Sequence, residues 1–280
     1  MILTRGDRPA ELAAAVDSVL AQDGDPVEVV VVGNGADVPG LPSVVRVVRL
    51  PDNVGIAAGR NEGARASTGE VIVFLDDDGR LADRDAVALL RLAFAADERL
   101  GIVSFRVRDP AGGPGARRHV PRLRAGDPHR SSDVTTFLGG ACAVRRTVLD
   151  RCGGFPDAFF YAHEETDLAW RALDAGYRIR YDASIEMLHP ATAPTRHAVF
   201  YRFNARNRVW LARRLLPWPL AVVYLLDWVA LTVVRVREPA ALRAWFTGFA
   251  EGWRTPCGPR RPITWRTALR MTRLGRPPII

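Results

Sequence analysis

Val71-Ile72-Val73-Phe74-Leu75 is an unbroken run of strand-forming apolar residues that stops at three carboxylates, Asp76-Asp77-Asp78, and Gly79. A run without polar alternation is buried on both faces, the pattern of a strand inside a layered α/β sheet. Such sheets bind ligands at the C-terminal edge of their strands, so the acids lie where a site belongs. On extended backbone Asp76 and Asp78 point to one side and Asp77 to the other. Adjacent carboxylates repel one another unless a cation sits among them. Hard oxygen ligands suit Mg²⁺ or Mn²⁺, which share their shell with water and phosphate oxygens, so a phosphorylated substrate is expected with the metal. The competing reading is a solvated acidic turn, and the buried strand before it favours the metal.

The flanking chain supplies the rest of the sheet. Met1 to Thr4 reads as a short first strand, and Pro9 opens a helix to about Gln22 with Leu12, Val16, Val19 and Leu20 on one face. Val27 to Val32 and Val44 to Leu50 follow as strands, the first breaking at Gly33-Asn34-Gly35. Strand, helix, strand is how a doubly wound sheet begins. Asn53 to Asn61 is a loop running into a small-residue helix, suited either to close approach of a phosphate or to ordinary helix packing.

Beyond the acids, Asp85 to Ala96 has helical periodicity and Gly101 to Val107 reads as a strand. Arg108 to Ser131 is a long Gly/Pro/Arg-rich connection, either a lid or a disordered stretch. Gly139-Gly140 leads into a short strand and a helix from Arg146 to Cys152. A further helix begins near Glu164 and runs to Ala175, its acids at the positive end of the dipole. Asp167 and Arg171 are spaced for an i, i+4 ion pair. Arg178 to Tyr181 and Ile185 to His189 read as two short closing strands.

Charge divides the chain. Residues 1–195 carry 23 Arg against 28 acids, whereas residues 196–280 carry 16 Arg against 3 acids. The basic excess therefore belongs to the last third and points to an anionic partner for that part, a membrane surface or nucleic acid. Three scattered cysteines, Cys142, Cys152 and Cys257, make neither a disulfide framework nor a zinc site, and the N-terminus has no signal-peptide pattern; both fit the cytoplasm.

An Asn-x-Gly loop ending in Arg60-Asn61, a strand ending in Asp76-Asp77-Asp78, the Gly139-Gly140-Ala141 loop, and Glu164-Glu165-x-Asp167-Leu168-x-x-Arg171 followed by His189 occur in this order. Over roughly residues 1–195 the chain resembles the family 2 glycosyltransferases. The resemblance implies an α/β fold of GT-A type, a Rossmann-like, mostly parallel sheet flanked by helices; the charge pattern makes residues 196–280 a basic, aromatic-rich helical extension. The resemblance also implies that Asp76 and Asp78 hold Mg²⁺ or Mn²⁺ and a nucleoside-diphosphate sugar, with His189 completing the metal shell. Glu165 falls where the family has its general base, with Glu164 and Asp167 as alternatives. Thr4, Asn34, Asn53, Arg60, Asn61, Asp76 and Asp77 match the donor side; Gly139, Gly140 and His163 match the acceptor side.

Two departures stand out. The second strand of the family commonly ends in an Asp that meets the nucleotide base, and here Gly33 takes that place, leaving the base undefined. The first strand also looks clipped.

The expected reaction is inverting transfer of a hexosyl or deoxyhexosyl group to a glycan or lipid-linked acceptor in cell-envelope synthesis. The leaving diphosphate needs its charge stabilised and the acceptor hydroxyl needs a base. A catalytically silent sugar-nucleotide-binding or scaffold protein is the alternative that Gly33 favours. A nucleotidyltransferase also uses strand-end acids, but no Gly-rich, Lys-containing loop follows the first strand.

In the last third, Tyr201 to Arg214 interleaves aromatics with arginine, a pattern shared by single-strand nucleic-acid binders and membrane interfaces. Leu215 to Val234 has spanning length but carries Pro217, Pro219 and Asp227 and is flanked by arginine on both sides. The expectation is a helix on the inner leaflet of the plasma membrane, with Trp218, Tyr224 and Trp228 at the headgroups, or else a helix packed on the catalytic domain. Residues 238–280 would then be a peripheral tail, and nucleic acid is not the expected partner.

Overall fold

The computed structural model describes residues 1–38, 40–112, 119–122, 127–190 and 198–280. Two stretches of the long 108–131 connection, 113–118 and 123–126, lie outside the described residues, and with them part of the segment read as either a lid or a disordered stretch. Nine strands form one sheet among the described residues: β1 Ile2–Thr4, β2 Val30–Asn34, β3 Arg46–Leu50, β4 Val71–Asp76, β5 Arg80–Leu81, β6 Leu100–Arg108, β7 Ser132–Asp133, β8 Ala141–Arg145 and β9 Arg178–Leu188. Their order is β3-β2-β1-β4-β8-β6-β9-β5, with β7 on β9.

The half from β3 to β4 is parallel, as the helical crossovers α1 Pro9–Leu20 and α2 Gly55–Ala66 require. Beyond β4 the sheet becomes mixed, because β8 enters antiparallel between β4 and β6. β9 is one bulged strand where two short ones were expected; its register against β6 shifts at Phe105/Arg106, opposite Asp182 and Glu186.

The valine-rich strands bury both faces. One face carries Leu75, Val103, Phe105, Ala143 and Met187 against α1 and α3 Ala86–Ala96. The other carries Ile72, Phe74, Cys142, Val144 and Tyr181 against α2, α4 Arg146–Cys152 and α5 Glu164–Asp174. The same core continues into the C-terminal helices α6 Ala198–Leu215 and α7 Trp218–Arg235 through Val209, Trp210, Leu211, Ala221 and Tyr224.

Residues 238–280 are not a peripheral tail. They form α8 Pro239–Arg254 and α9 Trp265–Arg273, and Trp245 is buried. α8 lies close on α6: a methyl at Gly248 or Gly252 would overlap the carbonyls of Arg202 and Arg206. Tyr224 is likewise withdrawn from any headgroup position, and Trp228 is half-buried. Tyr224 is buried against Trp170 with its hydroxyl bonded to Arg208 at 3.0 Å, and the Arg208 guanidinium lies 3.2 Å from the Trp228 ring centre.

Candidate functional site

The acids of β4 lie at its C-terminal end, and each is held differently. Asp77 accepts from Thr4 Oγ1 at 2.7 Å, and Thr4 in turn accepts from Gly6 N. Asp78 pairs with Arg8, at the start of α1, and with His189 Nε2 at 3.1 Å. Asp76 meets Arg60 Nη2 at 3.3 Å. One ligand atom each from Asp76, Asp78 and His189 lie within 4.8 Å of one another. Two carboxylates and an imidazole at this spacing fit Mg²⁺ or Mn²⁺. His189 Nδ1 faces the Pro190 carbonyl at 2.8 Å, which can only accept, so Nδ1 carries a proton and Nε2 is the nitrogen turned to the acids.

Electrostatics follow the contacts. His189 is raised above its ordinary value, chiefly by its bond to Asp78. Burial works against the Asp78 carboxylate, but His189 and Arg8 outweigh it and its pKa is lowered. Asp77 is raised, because its burial outweighs the help of Thr4 and Arg8. The His189–Asp78 pair therefore stabilises the fold fully between the ordinary carboxylate and histidine values; that contribution is lost as pH climbs through the raised histidine value or falls through the lowered carboxylate one.

A cleft of about 340 Å³ opens beside these acids, and Thr4, Asn34, Asn53, Arg60, Asp76 and Asp77 all line it. Asn34 and Asn53 also shape its floor. Asn34 Nδ2 donates to Asn53 Oδ1 at 3.0 Å, and the two side chains accept from Val54 N and Gly55 N. Asn61 stands apart from that lining. Its amide clamps Phe155 N and O at 2.9 and 2.8 Å and reaches Asp157, tying α2 to the chain before α5.

Gly33 has a local cause: the following turn folds back so that a Cβ there would overlap the Ala36 carbonyl and Val38. Gly139 and Gly140 also make room. A methyl at Gly140 would overlap the Asp76 carboxylate, and one at Gly139 the Arg60 guanidinium.

Arg60 is the buried centre of this arrangement. It joins Asp76 to Glu164, whose Oε1 accepts from Nη1 at 2.9 Å. Glu164 is thereby committed to an ion pair. Glu165 forms no ion pair among the described residues; burial first, and then the Glu164 charge, push it up to about 8. Asp167, expected as an alternative base, is instead fully buried between Arg171, the expected i, i+4 partner, and Arg214 Nε of α6 at 3.1 Å. Both its oxygens are occupied, so it fastens α5 to α6.

The chain entering α5 is strained. Phe160, Ala162 and His163 all have positive φ, at 61°, 71° and 68°. Each such residue costs about 1–3 kcal/mol. The carbonyls this conformation turns inward are taken up by buried Asn207 of α6, whose Nδ2 reaches Phe159, Tyr161 and Ala162 O at 3.0, 2.8 and 2.7 Å. Arg206 bonds Ala158 and Phe159 O. Thus the basic extension holds the turn that aims Glu164 and Glu165. Asn207→Ala leaves those carbonyls unpaired and should lower stability by about 1–3 kcal/mol. Thermal melts should show it as a fall in Tm, accompanied by a larger fractional loss of activity than Thr247→Ala on the exposed side of α8.

Arg8, Asn207 and Arg214 escaped the sequence reading. Arg8 offered one signal, its position just beyond the C-terminal end of the first strand.

Residues 2–153 match the sequence profile described as Glycosyl transferase family 2. The pre-mycofactocin glycosyltransferase of Mycobacterium tuberculosis is 28% identical over 209 residues, covering 67% of this chain and 40% of that protein. The O-antigen biosynthesis protein RfbC of Myxococcus xanthus is 27% identical over 239 residues, covering 73% and 18%. This chain therefore spans less than half the length of either. Among solved structures, the mannosyltransferase PcManGT of Pyrobaculum calidifontis, in complex with GDP-Man and Mn²⁺, superposes with a TM-score of 0.57 at 20% identity, over 98% of this chain and 82% of that one. The architecture is thus the GT-A fold.

Proposed function

Because this chain belongs to glycosyl transferase family 2, we propose that it is a metal-dependent inverting glycosyltransferase. It moves a hexosyl or deoxyhexosyl group from a nucleoside-diphosphate sugar to a glycan or lipid-linked acceptor, as in cell-envelope synthesis. The observation that carries this reading is the convergence of Asp76, Asp78 and His189 beside a cleft, with Glu165 reached across the buried Arg60–Glu164 pair.

Asp76, Asp78 and His189 would hold Mg²⁺ or Mn²⁺, which when bound neutralises the leaving diphosphate. Arg60 fixes the Asp76 carboxylate from behind, and Thr4 and Arg8 fix Asp77 and Asp78. Glu165 Oε takes the proton of the acceptor hydroxyl as that oxygen attacks the anomeric carbon from the face opposite the leaving group. One displacement inverts the configuration and requires no enzyme nucleophile. Burial first, and then the charge of Glu164, held by Arg60, keep Glu165 basic.

Release of nucleoside diphosphate from UDP-, GDP- and dTDP-sugars, with Mn²⁺ and without, tests the assignment. One nucleotide sugar should be turned over only with metal, with inverted product; release of none, or release in EDTA, counts against it.

The exposed face of α7 supports the expected contact with the inner face of the plasma membrane. Among the described residues α7 alone is long and apolar enough to cross a bilayer, but its inner face is in the core. Trp218, Val222, Leu226, Val233 and Val234 form an exposed apolar stripe, with Arg235, Arg237 and Arg260 at its ends. Such a helix lies in the interface with its arginines on anionic headgroups. Sedimentation with phosphatidylglycerol vesicles should weaken at least about tenfold in a Val222→Asp/Leu226→Asp double variant, and fall with added salt. Equal binding by the variant sinks the proposal.

A further inference from the structure

Glu165 faces a second cavity, of about 200 Å³, which shares no lining residue with the donor cleft. Arg60 lines the cleft and pairs with Glu164, the residue next to Glu165, which lines this cavity, so the two spaces are neighbours. Two guanidiniums enter it, from Arg208 of α6 and Arg276 just beyond α9. We propose that Arg208 and Arg276 form an anion subsite that holds a phosphate or carboxylate group of the acceptor while the acceptor hydroxyl faces Glu165. This rests on the transferase reading and adds the chemical class of the acceptor.

The charge of the cavity is unbalanced. Arg208 is 8% exposed, and its hydrogen bonds go to neutral groups, Nε to Asn204 Oδ1 at 2.9 Å and Nη1 to the Tyr224 hydroxyl at 3.0 Å. Arg276 is anchored by its backbone, N to Met271 O at 3.2 Å. Neither guanidinium makes an ion pair with a carboxylate among the described residues, whereas Arg60, Arg171 and Arg214 nearby all do.

Glu165 is the one acidic side chain lining the cavity, which the terminal residue Ile280 also lines, and neither Glu165 nor the chain terminus forms an ion pair with Arg208 or Arg276 among the described residues. Burial lowers the pKa of both arginines, the sign of guanidiniums desolvated without adequate compensation. A two- or three-oxygen anion supplies the partner these guanidiniums lack, and guanidinium forks match it geometrically.

Further polar atoms point the same way. Thr135 is 1% exposed and lines the cavity, yet its Oγ1 has no hydrogen-bond partner. His163 Nε2, also in the lining, is likewise unpartnered. Buried polar atoms left in this state are normally completed by a ligand or water. The donor's own diphosphate is the other source of such an anion, but it belongs in the separate cleft beside Asp76 and Asp77.

Calorimetric titration of inorganic phosphate, and separately of acetate, into the full chain in EDTA tests the subsite. Titration of a nucleotide sugar with Mn²⁺ is then run on the same samples. Saturable binding of one anion is expected, weakened about tenfold or more in Arg276→Gln, a loss of about 1.4 kcal/mol. Arg276→Lys should recover part of it, and Arg8→Gln, on the donor side, should leave it unchanged.

Whichever anion binds names the group, phosphate or carboxylate. No saturable binding of either, equal binding by Arg276→Gln, or loss in Arg8→Gln overturns the subsite. Nucleotide-sugar binding in Arg276→Gln reports that the variant is folded. If nucleotide sugars bind and the anions do not, only the subsite fails; if nucleotide sugars fail too, the transferase reading fails with it.

Discussion

Glu165→Gln is expected to lower turnover by about 10²–10⁴-fold, the usual contribution of a positioned general base, while nucleotide-sugar affinity changes less than about twofold. The amide keeps the volume and shape of the side chain but cannot take a proton. Affinity is spared because Glu165 lines the neighbouring cavity and is not in the lining of the donor cleft. The neighbouring acids should behave differently. Glu164→Gln leaves Arg60 buried with half its charge uncompensated and should cost about 3–5 kcal/mol of stability. Asp167→Asn breaks the α5–α6 fastening and should also act through stability. A protein without turnover would show no kinetic difference among the three.

The pH profile gives a second reading of the same residue. Glu165 must be ionised to act, and its pKa is raised from 4.5 to about 8, so the acidic limb of the rate profile should lie well above the ordinary carboxylate range. The stability sign is opposite. Between those two values the folded state keeps a proton that the unfolded state has lost, so stability falls as pH rises through that window. The enzyme should gain activity and lose stability over the same range, and the Gln variant should lose the stability slope together with the activity. A rate profile flat from pH 5 upward would remove Glu165 from the role.

Gly140→Ala is expected to weaken metal-dependent nucleotide binding by about 10–100-fold, the range seen when the support of a metal ligand is lost. The added methyl overlaps the Asp76 carboxylate, and the strands cannot part to admit it because Asp76 N is bonded to Gly140 O at 3.0 Å. Asp76 must swing away from both Arg60 and the Asp78–His189 pair. Overpacking of this kind usually costs about 1–3 kcal/mol, so the protein should remain folded, with a modest fall in Tm. Gly139→Ala meets only the flexible end of Arg60 and should do less. Equal metal affinity in wild type and Gly140→Ala would mean that Asp76 is not a ligand.

These two sites differ in how far the sequence exposes them. The run Val71 to Asp78 carries its own fold and chemistry, because strand burial and clustered acids are both local patterns. The helix from Arg146 to Cys152 and the Asp167–Arg171 pair are local in the same sense. Arg8 and Asn207 act across 70 and 45 to 48 residues of chain, respectively, and no spacing rule links them to their partners.

Gly139 and Gly140 match an acceptor-side loop, but the room they leave for Arg60 and Asp76 is not legible, since a sequence shows a missing Cβ and not the side chain that needs the space. The last 43 residues read as a peripheral tail because their arginines dominate the composition. The spacing of Gly248 and Gly252, one helical turn apart, is the signal that places α8 on α6. Gly33 stands where the family has its base-contacting Asp, and the turn that closes on it, leaving no room for a Cβ, is the part the sequence does not show.

Calorimetric titration of nucleoside diphosphates and their sugars, with Mn²⁺, Mg²⁺ or EDTA, against the protein and Asp78→Ala tests the central claim most directly. The account predicts that one nucleotide binds, that binding requires metal, and that Asp78→Ala abolishes it while the melting temperature shows the variant folded. Binding of no nucleotide by the folded wild-type protein under any metal condition, or binding indifferent both to EDTA and to Asp78→Ala, would contradict it.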